Sequence, residues 1–287
     1  MHGGLTGLST TGDRRGRLDL GFGRAPDGRS FLRHQYASYP FHICRPHYYA
    51  DDPEGMATLY MQSVAGGVFE SDRLSISIEG ESESALHVTS QASTIVHGME
   101  HDHAEQVVTI EAAHNSLVEY LPDCTILFPR AKFRSRLYVS VDKTTSVVLG
   151  DSFLAHDPND DGDMFDFLES DTIITDLDGR WLVRDRFKVT GDRLMRGLPG
   201  LNGKWIAQAT LVVIQPGNDL DSLLDRVRRD LDAVPDIYAG ASRLPGDTGI
   251  GARIMARDGH ALRRGVLSVW SSSRVQLGTG VPTTRRK

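Results

Sequence analysis

Cysteine is almost missing from this chain. Cys44 and Cys124 are its two thiols. Neither belongs to a CxxC pair, so they supply neither a disulfide framework nor a four-thiolate zinc site, and they read as reduced residues in or near packed β structure. Long apolar runs are missing too. No stretch approaches the ~20 residues that a membrane-crossing helix needs, and the opening MHGGLTGLSTTGDRRGR has basic residues without a continuous apolar core, which reads as a polar tail rather than a signal peptide. Positive charge is not in excess: 32 Lys and Arg face 38 Asp and Glu, for a net charge of −6. That balance gives no global attraction for nucleic acid. The expectation is a cytoplasmic protein whose partners include neither nucleic acid nor membrane. Catalytic signatures are absent as well: there is no GxxxxGK[ST] loop, no GxSxG elbow and no HExxH pair.

What the chain does have is strand-like texture. With 287 residues, 39% of them apolar, it can bury a substantial core. In Arg73–Glu79 polar and apolar residues alternate, so a strand places Leu74, Ile76 and Ile78 on one face. Similar runs occupy 58–64, 85–89, 107–110, 117–121, 133–141, 147–154, 181–189 and 206–214, with Gly and Pro between them. After Gly217 the period changes. Leu220, Leu223, Leu224, Val227 and Leu231 recur at helical spacing up to Pro235, and a second helix is expected over 261–275. The predicted architecture is mainly β: an extended, layered, β-helix-like sheet arrangement with about two helices toward the C-terminus. It is divided into a tail over 1–16, one domain over 17–277 and a flexible tail over 278–287. No repeat of fixed length is visible.

Three segments carry potential chemistry. His97, His101 and His103, with Glu100 and Asp102 between them, offer imidazole and carboxylate groups of the kind that bind nickel or zinc. His97 and His101 share a face on a helix and His101 and His103 share one on a strand, so the spacing fits two different local structures. Asp157-Pro158-Asn159-Asp160-Asp161-Gly162-Asp163 matches the first half of a calcium loop, but the twelfth position is Leu168, and the segment reads as an acidic, solvated loop. Gly66-Gly67-Val68-Phe69-Glu70-Ser71-Asp72-Arg73-Leu74 reads as a glycine turn that delivers Asp72 to the start of a strand.

Taken in order, these and other landmarks resemble the UreD (UreH) family of urease accessory proteins from about Leu18 to the C-terminal region. The carriers are Arg33-His34-Gln35 with Pro40 and Arg45-Pro46, the Gly66-Gly67 to Asp72-Arg73-Leu74 turn, and Thr89-Ser90-Gln91-Ala92-Ser93-Thr94. Downstream come Glu119-Tyr120-Leu121-Pro122-Asp123-Cys124-Thr125-Ile126, Gly179-Arg180-Trp181-Leu182-Val183-Arg184-Asp185-Arg186-Phe187 and Gly200-Leu201-Asn202-Gly203. The resemblance implies a non-catalytic β-rich scaffold that docks on UreF, recruits the nickel-carrying GTPase UreG to apo-urease, and holds no permanent cofactor, only transient Ni2+. It also implies a polar nickel route, for which Asp72, Thr94 and Asp185 are the candidates by motif position. Carboxylate and hydroxyl oxygens are weak, exchangeable nickel ligands, suited to transfer. The family pattern has glycine near Glu70 and Ser71, where this chain has none.

Two other classes fit parts of the sequence. A β-scaffold metalloenzyme requires at least three of His87, His97, His101, His103 and His114 around one point. A β-rich binding module requires a groove lined by exposed aromatics such as Tyr36, Tyr39, Phe41, Tyr48 and Tyr49.

Overall fold

The computed structural model describes residues 14–198 and 203–282. Among these are seventeen strands: β1 (Arg15–Arg24), β2 (Ser30–Ala37), β3 (Phe41–Ile43), β4 (Ala57–Ser63), β5 (Arg73–Gly80), β6 (Ala85–Ser90), β7 (Thr94–Val96), β8 (Ala104–Ala112) and β9 (Leu117–Tyr120). They continue as β10 (Thr125–Leu127), β11 (Lys132–Val141), β12 (Ser146–Ala155), β13 (Phe167–Asp176), β14 (Trp181–Val189), β15 (Ala207–Ile214), β16 (Ile237–Arg243) and β17 (Ile250–Ala256). The helices are α1 (Gly191–Met195), α2 (Leu220–Asp232) and α3 (Gly259–Gln276).

The strands form two layers. The first sheet runs β14-β13-β11-β8-β5-β1-β2; the second runs β16-β17-β15-β12-β9-β6-β4-β3, with β7 and β10 attached beside β12. From β4 to β13 the chain winds back and forth between the layers, each return laying a strand parallel to the one before. Ala57, Leu86, Val118 and Val147 therefore stand side by side in the second sheet, and Ile76, Val108, Leu137 and Thr172 do so in the first. The intervals between these partners are unequal, which is why no fixed period shows in the sequence. Register is held by the pleat, because a slip of one residue would turn a whole inward row to the other face.

Three apolar clusters follow. One lies between the layers, from Leu18, Ile78 and Ile110 to Val147 and Leu149. A second joins the outer face of the second sheet to α2 and α3; β6, buried along its whole length, turns Leu86 and Val88 to the interlayer core and stacks His87 on Trp270 of α3. The third closes the end around β7 and β10 with Phe133, Phe153 and Phe165.

The expected β-helix-like architecture is present, as are the nine expected strands and both long helices. The structure adds the five-residue α1 and further strands, among them β1, β13, β16 and β17. Strand β1 starts at Arg15, inside the segment read as a tail; residues 1–13 and 283–287, and Gly200–Asn202 of the last family landmark, lie outside the described residues.

Helix α2 begins at Asp219, whose side chain accepts the backbone N–H groups of Asp221 and Ser222, and it buries Leu223, Leu224, Val227 and Leu231. Asp219→Ala should lower stability by about 1 kcal/mol without altering the fold, a change that chemical denaturation will resolve. Helix α3 ends with Gly278 at φ 72°, a left-handed conformation that suits glycine. This turn lets the Thr279 N–H reach the carbonyl of Arg274 at 3.1 Å.

Arg274 also fixes α3 to the second sheet. Its guanidinium is fully buried, pairs with Glu119 on β9, and reaches Asp52 at 3.3 Å. Glu119 Oε2 also meets His87 Nδ1 at 2.9 Å, and the His87 ring stacks on Trp270 at 4.8 Å. Thr58 Oγ1 donates to Asp52 at 2.8 Å. Burial by itself would raise the Glu119 pKa, but the guanidinium and the imidazole outweigh it and hold the carboxyl down to about 2.

Candidate functional site

The interlayer core is apolar except along one band. In register across the first sheet, Ile78, Ile110, Val139 and Ile174 make one apolar level. Two levels toward the other end, the partners are Leu74, Gln106, Ser135 and Ser170. Between them, Thr172 on β13 pairs with Asp185 on β14. Because side chains alternate along a strand, Asp185 shares its inward row with Val183 and Phe187, both packed in the interior. The second sheet mirrors this. Asp151 occupies the β12 row that holds Val147, Leu149 and Phe153, and its cross-strand partner on β15 is Thr210, in the row of Val212 and Ile214.

The polar band is accompanied by three cavities with shared walls. An outer groove of about 750 Å³ is lined by Asp185, Gln208, Thr210, Tyr238 and Arg253. Asp185 and Thr210 also wall a cavity of about 10 Å³ with Asp151, Ser170 and Thr172. Asp151 and Gly150 then wall a cavity of about 40 Å³ with Thr94, Gln106, Asp123, Thr125 and Ser135. The smallest of these volumes is near the threshold for one water molecule.

The chemistry of the seam is set by oxygen. Ser170 Oγ donates to Asp151 Oδ2 at 2.7 Å, bridging the layers. Burial pushes the Asp151 pKa above the ordinary carboxylate range; the Ser170 and Ser152 hydrogen bonds oppose this, and the nearby Asp185 charge adds to it. Thr210 Oγ1 is buried without a hydrogen-bond partner. Cys124 adds no thiolate, because burial pushes its thiol up to about 12.

Of the three residues singled out as lining a route, Thr94 and Asp185 stand at opposite ends of this seam. Asp72 is not in its walls. Its buried carboxylate pairs with Arg14 and accepts the Phe69 N–H at 2.7 Å, so it fixes the glycine turn ahead of β5. In that turn Ser71 takes φ 65° where the family pattern has glycine nearby. The left-handed backbone is held by Ser71 Oγ donating to Asp102 at 3.0 Å, and by Glu70 accepting the N–H groups of Glu100, His101 and Asp102.

His97, His101 and His103 do not converge. The His97 ring stacks on Phe69 at 4.4 Å, His101 is exposed, and His103 Nε2 lies 3.1 Å from the Arg134 guanidinium. His87 is buried beside Glu119, and His114 sits on the surface near Thr144. Among the described residues no group of three or more His, Cys, Asp or Glu side chains is placed to hold a metal ion. In the acidic loop, Asp157 accepts the backbone N–H groups of Asn159, Gly162 and Asp163, which turns its carboxylate toward its own chain. Tyr36, Tyr39 and Tyr48 are exposed, but Phe41 packs on the core.

The family described as UreD urease accessory protein matches residues 14–287. The chain belongs to the UreD family. Its relatives include Urease accessory protein UreD 1 of Pseudomonas syringae pv. syringae, 36% identical over 93% of this chain and 94% of that protein. Urease accessory protein UreD 1 of Methylorubrum extorquens is 32% identical over 96% of this chain and 92% of its own length. An archaeal relative, Urease accessory protein UreD of Natronomonas pharaonis, is 28% identical over 94% and 91%.

Sequence reasoning missed Asp151, the residue that joins the two ends of the UreD seam. The signal was present in Val147, Leu149, Asp151 and Phe153, where a carboxylate interrupts an alternating apolar row.

Proposed function

We propose that this chain is a non-catalytic scaffold of urease maturation. It docks on UreF, thereby brings UreG to apo-urease, and passes nickel between its sheets along the seam from Asp185 through Asp151 to Thr94. The observation that carries this reading is Asp151, a half-buried carboxylate in an otherwise apolar inward row, bridged across the layers by Ser170. A fold selected only for stability gains nothing from a carboxylate there, since burying it costs free energy. The chambers are too small for a fully hydrated ion. Nickel in transit therefore exchanges waters for seam oxygens, which hold it weakly enough to release it. Family membership and the relatives' shared description as urease accessory proteins support the same role.

The test is co-purification of the chain with UreF, UreG and apo-urease, followed by nickel-dependent urease activation with and without it. Specific association, and activation that requires the chain, are expected. Activation that proceeds equally well without it would remove the scaffold role. Asp185→Asn with Thr94→Val tests the route: the complex should assemble as before while activation drops.

A further inference from the structure

The outer end of the seam is spanned by one ion pair. Arg253 lies on β17, where Ile250, Ala252, Ile254 and Ala256 face the helices, while Gly251, Arg253 and Met255 line the outer groove. In register it is the partner of Thr210, which in turn is the partner of Asp151. From there its guanidinium crosses the gap between the sheets to Asp185 on β14.

The two partners of this pair are unequally placed. The Arg253 side chain is 57% exposed and the Asp185 side chain 19%. When the pair opens, the carboxylate stays in the wall and the guanidinium moves into solvent. The other guanidinium in the wall of the groove, that of Arg184, is engaged elsewhere, with Asp171 at 3.2 Å and over the Trp181 ring. Arg253 is thus the cation that competes for Asp185.

We infer that Arg253 is a displaceable gate at the mouth of the seam, a specificity residue that neutralises Asp185 until a divalent cation takes its place. The inference rests on the seam being a cation route. A monovalent ion brings no more charge to the carboxylate than the guanidinium already supplies, and it lacks the guanidinium's charge-assisted hydrogen bond. A divalent ion brings twice the charge and coordinates the oxygen directly. The gate therefore favours divalent over monovalent cations at a surface bathed in the latter.

The experiment is equilibrium dialysis of the full chain against Ni2+ alone, in buffer with excess K+, for the wild type and Arg253→Met, Arg253→Lys and Arg253→Met with Asp185→Asn. Removing a competing charge at contact distance should tighten Ni2+ binding roughly tenfold in Arg253→Met. Arg253→Lys should stay near the wild type, and the double variant should lose the gain. Unchanged binding in Arg253→Met, or a gain that persists in the double variant, overturns the gate. Arg253→Gln provides a second, polar removal of the charge if the methionine variant proves insoluble.

Urease activation separates this inference from the reading it rests on. If activation requires Asp151 but Ni2+ binding ignores Arg253, the route stands and the gate falls. If binding responds to Arg253 but activation ignores the seam, the route falls.

Discussion

Arg274→Met should destabilise the protein by about 3–5 kcal/mol, as expected when one partner of a buried ion pair is removed. Methionine approximates the length of the side chain, so the loss is chiefly one of charge. Glu119, with no accessible surface, and Asp52 would face each other without the guanidinium between them. The His87 and Thr58 contacts would remain. The pH dependence identifies the cause. In the wild type the Glu119 pKa is depressed from 4.5 to about 2. That contribution to stability is complete above the unfolded value and is lost as pH falls through the interval from 4.5 to about 2. In the variant, burial is no longer outweighed by the guanidinium, so Glu119 protonates more readily in the folded state. Acidification below neutrality then relieves the variant while it weakens the wild type. Urea denaturation at a series of pH values should show the gap narrowing toward acid; a gap that stays constant would mean that packing, and not charge, accounts for the loss.

Asp151→Asn should act in the opposite direction on stability and severely on function. The folded state raises the Asp151 pKa, so its ionised form costs folding free energy at neutral pH, and this cost disappears as pH falls through the raised value. An amide keeps an oxygen for Ser170 to donate to and carries no charge. The variant should therefore be more stable at neutral pH by on the order of 1 kcal/mol, with the gain shrinking in acid. Nickel-dependent urease activation should fall roughly 10- to 100-fold, the usual scale for disturbing a group that handles a metal. A variant that is more stable and fully competent in activation would show that Asp151 takes no part in transfer.

The sheets were legible wherever alternation was unbroken. Strand β5 announces itself because polar and apolar residues trade places at period two from Arg73 to Glu79. Strand β13 was hidden because Glu169, Ser170, Asp171 and Thr172 interrupt the pattern between Leu168 and Ile174, and β16 because Ala, Gly and Ser fill its centre. Both interruptions are informative, since Ser170 and Thr172 belong to the seam and Gly240 and Ser242 line the outer groove. The histidine cluster is dispersed for a different reason. Neighbours in sequence alternate across a pleat or diverge in a loop, so His97, His101 and His103 were close along the chain without sharing a point in space. Arg274 was visible all along, one helical turn beyond Trp270 on α3. Only the long-range pairing with Glu119 and Asp52, 155 and 222 residues away, gives a charge on that face its meaning.

That separation also sets an order of events during synthesis. The layers can wind as soon as their strands leave the ribosome, but the Arg274 guanidinium reaches Glu119 and Asp52 only once α3 has emerged. A chain arrested before α3 carries two carboxylates that lack the Arg274 guanidinium, together with a sheet face that lacks its cover. The clamp thus separates a chain that has made α3 from one that has not, and the covered sheet face exists only in the former.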